Sequence, residues 1–182
     1  TQISRKEVLL IDADFYFGDA SLQLNINPAR TIMDLLPHVQ DLEEDYFKQI
    51  VTRHASGLSV LSAPLRPEQA ERIHSEHLDS LLKRLPRYYD LIVVDCQPSY
   101  DERMLRILDN AEMIFLVLTP EVGPIRNTNY FLDLASTLGY GINNIFLILN
   151  RADSLVGVSP KDVERSLPKA VMFEIASGGR LV

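Results

Sequence analysis

Two apolar runs in this chain end in carboxylates. VLLIDAD delivers Asp12 and Asp14, and LIVVDCQPS delivers Asp95. In a phosphate site an Asp at the end of a strand holds Mg²⁺, directly or through water, because this hard cation prefers oxygen ligands. The ordinary alternative for Asp95 is a carboxylate that caps the next helix, and the strand end alone does not choose between the two. Asp14 lies two residues beyond Asp12, in a loop that overhangs the same crevice. A carboxylate there can orient an attacking water towards a γ-phosphate. Asp, Gly and Ser are also common in loops after strands, as in DFYFGDAS. Two acidic strand ends in one parallel sheet open on one edge, which shifts the balance towards function. A third residue, Asn150 in LILNRAD, stands just past another apolar run. Its amide offers a donor and an acceptor to the edge of an adenine ring, although Asn is also a routine strand-to-loop residue.

These residues need strands to position them. Apolar runs bounded by turn residues recur as VLLID, GLSVL, LIVVD, MIFLVL, NIFLIL and AVMFEI. They are continuous rather than alternating, so both faces of each strand are expected to be covered, as in a parallel sheet flanked by helices. Helical patterns fall between the runs. Asp41 to His54 carries Leu42, Phe47, Ile50, Val51 and His54 on one face, with Asp41 and Glu44 as an acidic variant of a capping box and Gly57 placed as a stop. A longer helix is expected from Pro67 to Pro86, another from Pro124 to Leu138 ending at Gly139, and a short one after Ser159. The expected fold class is α/β, a mostly parallel doubly wound sheet flanked by helices, in a single domain with ligands beyond the carboxyl ends of its strands.

Composition narrows the function. The chain has 182 residues with 46% hydrophobic side chains and a formal charge of −7, without clustered Lys and Arg, which argues against a nucleic-acid-coating surface. Residues 1–50 hold four basic and nine acidic side chains, so the acidity is front-loaded. No apolar run approaches the ~20 residues of a membrane span, and TQISRKE lacks the apolar segment of a secretory signal. The single cysteine, Cys96, fits a reducing compartment, and the expected location is the cytoplasm. Cys96 is expected to pack rather than react, since the charge of Asp95 disfavours a thiolate. His74 and His77 stand i, i+3 near Glu71 and Glu76 but lack a third ligand, and exposed helix positions are the expectation for them.

In order and wording these motifs resemble the MinD/ParA group of P-loop ATPases, particularly its CpaE/TadZ-like branch associated with pilus assembly and polar localisation. VLLIDAD is similar to that group's IDxD strand, whose second Asp acts in hydrolysis, which points to Asp14. YDLIVVDCQPS is similar to its Walker B strand, except that Gln97 replaces a Pro, and it points to Asp95 as the metal carboxylate. LTPEVGPIRNT, with Arg126, resembles its TPE region, and LNRAD resembles the base-contacting segment, pointing to Asn150 and Arg151. The resemblance implies ATP and Mg²⁺ as cofactors and a homodimer formed through the nucleotide face. It also implies partners in a pilus or secretion machine and recruitment to a cell pole or the inner membrane face.

The group's glycine-rich KGGxGKT/S loop, whose backbone N–H groups and lysine hold the phosphates, has no counterpart in this sequence. TQISRKE therefore reads as the end of the helix that follows that loop, and the chain as a partial ATPase domain over residues 1–182, inactive alone. The group also continues beyond FEIASGGRLV into a further helix. Loss of the phosphate-loop strand would leave strand edges and apolar surface uncovered. Two other functions stay open. One is a non-hydrolytic localisation scaffold of the same fold. The other is a phospho-receiver domain, against which the 83-residue separation of Asp12 and Asp95 argues, although a receiver module can precede CpaE-like domains.

Overall fold

The computed structural model describes residues 6–155 and 157–178. Most of TQISRKE and the last four residues, on which the reading of both ends depends, lie outside the described residues. The chain divides into two compact units, Thr1–Asn110 and Ala111–Val182.

The first unit is built on a four-stranded sheet in the order β2-β3-β1-β4, with β1 at Val8–Ala13, β2 at Thr52–Arg53, β3 at Ser59–Leu61 and β4 at Leu91–Cys96. β1 runs parallel to β3 and to β4, whereas β2 is antiparallel to β3. The register pairs Leu9 with Ile92, Ile11 with Val94 and Asp12 with Asp95. Side-chain direction alternates along a strand, so Leu9, Ile11 and Ala13 share a face with Ile92, Val94 and Cys96. That face meets α2 (Ile32–Leu35), α3 (Glu44–Ile50), α4 (Ser75–Arg84) and α5 (Glu102–Asp109) in one core, with Leu35, Phe47, Ile50, Leu81 and Ile107 buried in it. A single turn, α1 (Ala20–Gln23), follows the loop after β1.

The second unit has a parallel sheet in the order β5-β6-β7, at Ile114–Leu118, Ile145–Asn150 and Val171–Ile175. Its crossovers are α6 (Val122–Thr137) and α7 (Pro160–Arg165). Ile125 of α6 and Val163 of α7 enter one core with Leu118, Leu147 and Leu149. Both helices therefore cover the same face.

The fold class is the expected one, α/β with parallel strands and helical crossovers, but three expectations are corrected. The Asp41–His54 helix is only α3. Asp41 ends a 3₁₀ segment, Leu36–Asp41, and Glu43 occupies the N-cap without a side-chain bond. Beyond Val51 the β-branched Thr52 joins the sheet, and Gly57, at φ 87°, turns a hairpin rather than stopping a helix. The Pro67–Pro86 helix is a 3₁₀ segment, Pro67–Arg72, followed by α4. The chain extends at His74, whose N–H donates to His77 Nδ1 at 3.1 Å. Last, among the described residues coverage of the second face is incomplete: Val8, Asp12 and Val60 on that face of the first sheet are buried, but the outer strands are not covered. Leu91 and Val93 on β4 are each 45% exposed, and Phe115, Val117, Phe173 and Ile175 on the open face of the second sheet are 49–58% exposed.

Candidate functional site

The acidic residues of the first unit gather at the carboxyl ends of β1 and β4. Asp12 is 2% exposed. Its Oδ1 accepts the Asp14 N–H at 3.3 Å and its Oδ2 the Ala20 N–H at 3.2 Å, so one carboxylate clasps both ends of the loop after β1. Gly18 makes that fit possible. A Cβ there would stand 2.5 and 2.6 Å from the two Asp12 oxygens and 2.6 Å from Ala63 Cβ. Burial pushes the Asp12 carboxyl up to about 6, against its two backbone hydrogen bonds, and the charges of Asp95 and Asp14 push the same way.

Asp14 is half-buried, and its Oδ1 accepts the Phe17 N–H at 3.0 Å, which fixes the side chain within its own turn. Asp95, the register partner of Asp12, is exposed at the end of β4. Partial loss of hydration raises its carboxyl above the ordinary value, and the charges of Asp19 and Asp14 add to the rise. The charges of Asp19 and Asp14 thus bear on Asp95, a setting that a bound cation would relieve. Among the described residues no cluster of three or more His, Cys, Asp or Glu is placed to hold a metal ion, His74 and His77 included. A Mg²⁺ that keeps several waters and takes one or two carboxylates plus substrate phosphates needs no such cluster, so Asp95 fits that role.

Cys96 is half-buried against the core, and burial, then the charge of Asp95, pushes its thiol up to about 12. It is a packing residue. Sequence reasoning passed over α5 and its start. Asp101 caps that helix by accepting the Met104 N–H at 2.9 Å and pairs with Arg103 at 2.9 Å. The signal was available in the helical spacing of Met104, Ile107 and Leu108 after Asp101.

In the second unit Asn150 ends β6 and its Oδ1 accepts the Arg151 N–H at 2.9 Å. Arg151 is exposed with φ 55°, a left-handed conformation that turns the chain sharply after the strand. The loop then returns to the end of β5, where the Val158 N–H donates to the Pro120 carbonyl at 2.8 Å and Gly157 has φ 112°. A Cβ on Gly157 would lie 2.2 Å from that carbonyl oxygen, so glycine is required by contact as well as by φ. Arg126, in the first half of α6, stacks its guanidinium over the Tyr130 ring at 5.9 Å.

No family model matches the sequence. Among curated proteins it is similar to the septum site-determining protein MinD of Synechocystis, at 26% identity over 148 residues covering 80% of this chain and 53% of that protein. An uncharacterised ATP-binding protein of Methanocaldococcus jannaschii is 23% identical over 150 residues, 82% of this chain and 54% of that one. The chain thus spans about half the length of these curated relatives. Among solved structures, a ParA family ATPase from Chlorobium tepidum superposes with a TM-score of 0.89 at 23% identity, covering 97% of this chain and 74% of that one. The fold is that of the MinD/ParA P-loop ATPases. MinD from Pyrococcus horikoshii, complexed with Mg-ADP, has the same MinD/ParA fold at a TM-score of 0.76 and 21% identity, covering 94% of this chain and 69% of that one. Aquifex aeolicus MinD, in its complex with MinC, gives 0.73 at 22% identity, with 97% and 72% coverage. Within this MinD/ParA fold, Asp12, Asp14 and Asp95 lie at the carboxyl ends of parallel strands, the edge where open α/β sheets bind ligands.

Proposed function

We propose that this chain is part of an ATP-dependent dimerisation switch of MinD/ParA type that positions a pilus assembly or secretion machine, as in the CpaE/TadZ-like branch. The observation that carries the reading is the parallel β1–β4 pair. Its register sets Asp12 beside Asp95, with Asp14 in the loop directly beyond. In this reading Asp95 holds Mg²⁺, which neutralises charge on the phosphates when bound. Asp14, steadied by the Phe17 N–H, orients and deprotonates the attacking water. Asp12 keeps the loop closed behind it. Asn150 and Arg151 contact the base, and two subunits meet through the nucleotide face in the cytoplasm. Among the described residues no helix is long and apolar enough to cross a membrane.

The phosphate-binding strand and loop would come from outside residues 1–182. Among the described residues no strand pairs with the outer edge of β4, and Leu91 and Val93 on β4 are half-exposed, which supports that part of the reading because a parallel strand is normally paired and covered. Asp95→Asn in the full-length protein tests it. The variant should raise the Mg²⁺ concentration for half-maximal ATP turnover by roughly tenfold or more, since it removes the carboxylate charge at the cation. An unchanged Mg²⁺ dependence would remove Asp95 from the metal site. A full-length protein without ATP turnover under any Mg²⁺ concentration would favour the non-hydrolytic scaffold.

A further inference from the structure

Arg103 has no part in the roles assigned above, yet it joins more segments of the first unit than any of the residues assigned there. Its side chain is 16% exposed. One nitrogen, Nη1, donates to the Ala70 carbonyl at 3.1 Å, on the 3₁₀ segment Pro67–Arg72. Nη2 donates to the Tyr16 hydroxyl at 3.3 Å and to Asp101 Oδ2 at 2.9 Å, and Nε reaches the same carboxylate oxygen at 3.3 Å. The guanidinium carbon also lies 5.3 Å from the centre of the Tyr16 ring and 5.7 Å from that of Phe15. Tyr16 in turn donates its hydroxyl proton to Glu71 Oε1 at 2.7 Å.

The position of these contacts matters more than their number. Phe15 and Tyr16 are the two residues immediately after Asp14. Asp101 is the N-cap of α5, the helix entered from the loop that leaves Asp95. One planar cation therefore grips the loop that bears Asp14 and the exit of the loop that follows the strand of Asp95. It anchors both to a third segment through Ala70. A planar guanidinium suits the task, since it donates along several fixed directions while its face stacks on an aromatic ring. A lysine ammonium keeps the charge but cannot satisfy Ala70, Tyr16 and Asp101 from one plane.

We propose that Arg103 is a positioning residue that sets where the Asp14 loop stands relative to Asp95 and the loop that follows β4. Its mechanical part stands on the contacts alone; its consequence for turnover rests on the roles of Asp14 and Asp95 proposed above. The other restraints on the loop are the Asp12 clasp at its two ends, the buried Phe15 ring and the Tyr16–Glu71 hydrogen bond, whereas Phe17 is 80% exposed. Loss of the grip should free the loop without unravelling β1, whose Leu9 and Ile11 lie in the core.

The test is Arg103→Lys, with Tyr16→Phe and the double variant, in the full-length protein. Amide hydrogen exchange at Asp14, Phe17 and Ala20 should quicken by about tenfold in Arg103→Lys, while Leu9, Leu10 and Ile11 keep their rates. For ATP hydrolysis kcat should fall by roughly 10- to 100-fold with KM little changed, because the misplaced group acts on the reaction and not on nucleotide affinity. Tyr16→Phe keeps the ring and removes the hydroxyl, so it should give a smaller effect of the same kind that does not add to that of Arg103→Lys. Unchanged exchange in the loop would overturn the proposal, as would acceleration spread equally over β1, which marks a general structural role. If the unaltered full-length protein hydrolyses no ATP, the functional reading fails, and the exchange measurement still decides whether Arg103 holds the loop.

Discussion

Asp12 carries its proton to an unusually high pH for a carboxyl, and the sign of the consequence is fixed. Its folded value is about 6 against an ordinary 3.8, so between those values the folded state holds the proton more firmly than the unfolded chain does. Stability from this group is fully present below about pH 3.8 and is lost as pH rises through 6, by up to about 3 kcal/mol. Asp95 is raised in the same direction. Denaturant unfolding in Mg²⁺-free buffer from pH 4 to 7 should show a falling contribution, and Asp12→Asn should flatten it. The same variant should lose one of the two backbone bonds, since an amide presents only one acceptor oxygen to the Asp14 and Ala20 N–H groups. Gly18→Ala places a methyl group against both Asp12 oxygens and should cost roughly 1–3 kcal/mol in the same measurement. The two acidic strand ends were legible in the sequence because an apolar run that stops at a carboxylate is a local pattern. Gly18 and Arg103 were not, since what they touch is 6 residues away in one case and 87 in the other.

At the level of elements, the six apolar runs were read correctly as strands, β2 was missed inside an expected helix, and the helices were read less well. α3 and the segment before α4 show why. Leu42, Phe47 and Ile50 do share a buried face, but the chain bends between Leu42 and Glu44 and enters the sheet at Thr52, choices made by pairing with β3. Ala70, Ile73 and Leu78 are buried as their spacing implied, yet 3₁₀ and α geometry meet at His74. The short helix α5 gives only a brief periodic signal, since its eight residues bury only Met104, Ile107 and Leu108. Its cap now carries a prediction. Asp101→Ala removes the Met104 N–H acceptor and the Arg103 partner, so thermal unfolding should report a loss of about 1–2 kcal/mol, a typical N-cap cost. Asp101→Asn should restore part of it, because the side-chain oxygen can still cap the helix.

Across the molecule, β1 and β3 are buried on both faces among the described residues, whereas β4, β5 and β7 keep apolar side chains half-exposed on one. In the first unit Leu91 and Val93 stand half-exposed; in the second, Phe115, Val117, Phe173 and Ile175 do, with the Phe115 and Phe146 rings tilted against each other at 5.5 Å. The continuous composition of the strands foretold cover on both faces, which β1 and β3 have and which β4, β5 and β7 lack in part among residues 6–155 and 157–178. Residues 1–182 alone should therefore bind a hydrophobic dye strongly and self-associate, and Val93→Lys with Phe115→Lys should reduce both. For the same reason the isolated chain should show no micromolar Mg-ATP binding by calorimetry, since no glycine-rich loop stands in its sequence to hold phosphates. The most direct test of the central claim is single-turnover ATP hydrolysis by the full-length protein with Asp14→Ala. The predicted result is a loss of roughly 10²- to 10⁴-fold in rate with Mg-ATP affinity retained, as expected for removal of a general base. An unchanged hydrolysis rate would contradict it.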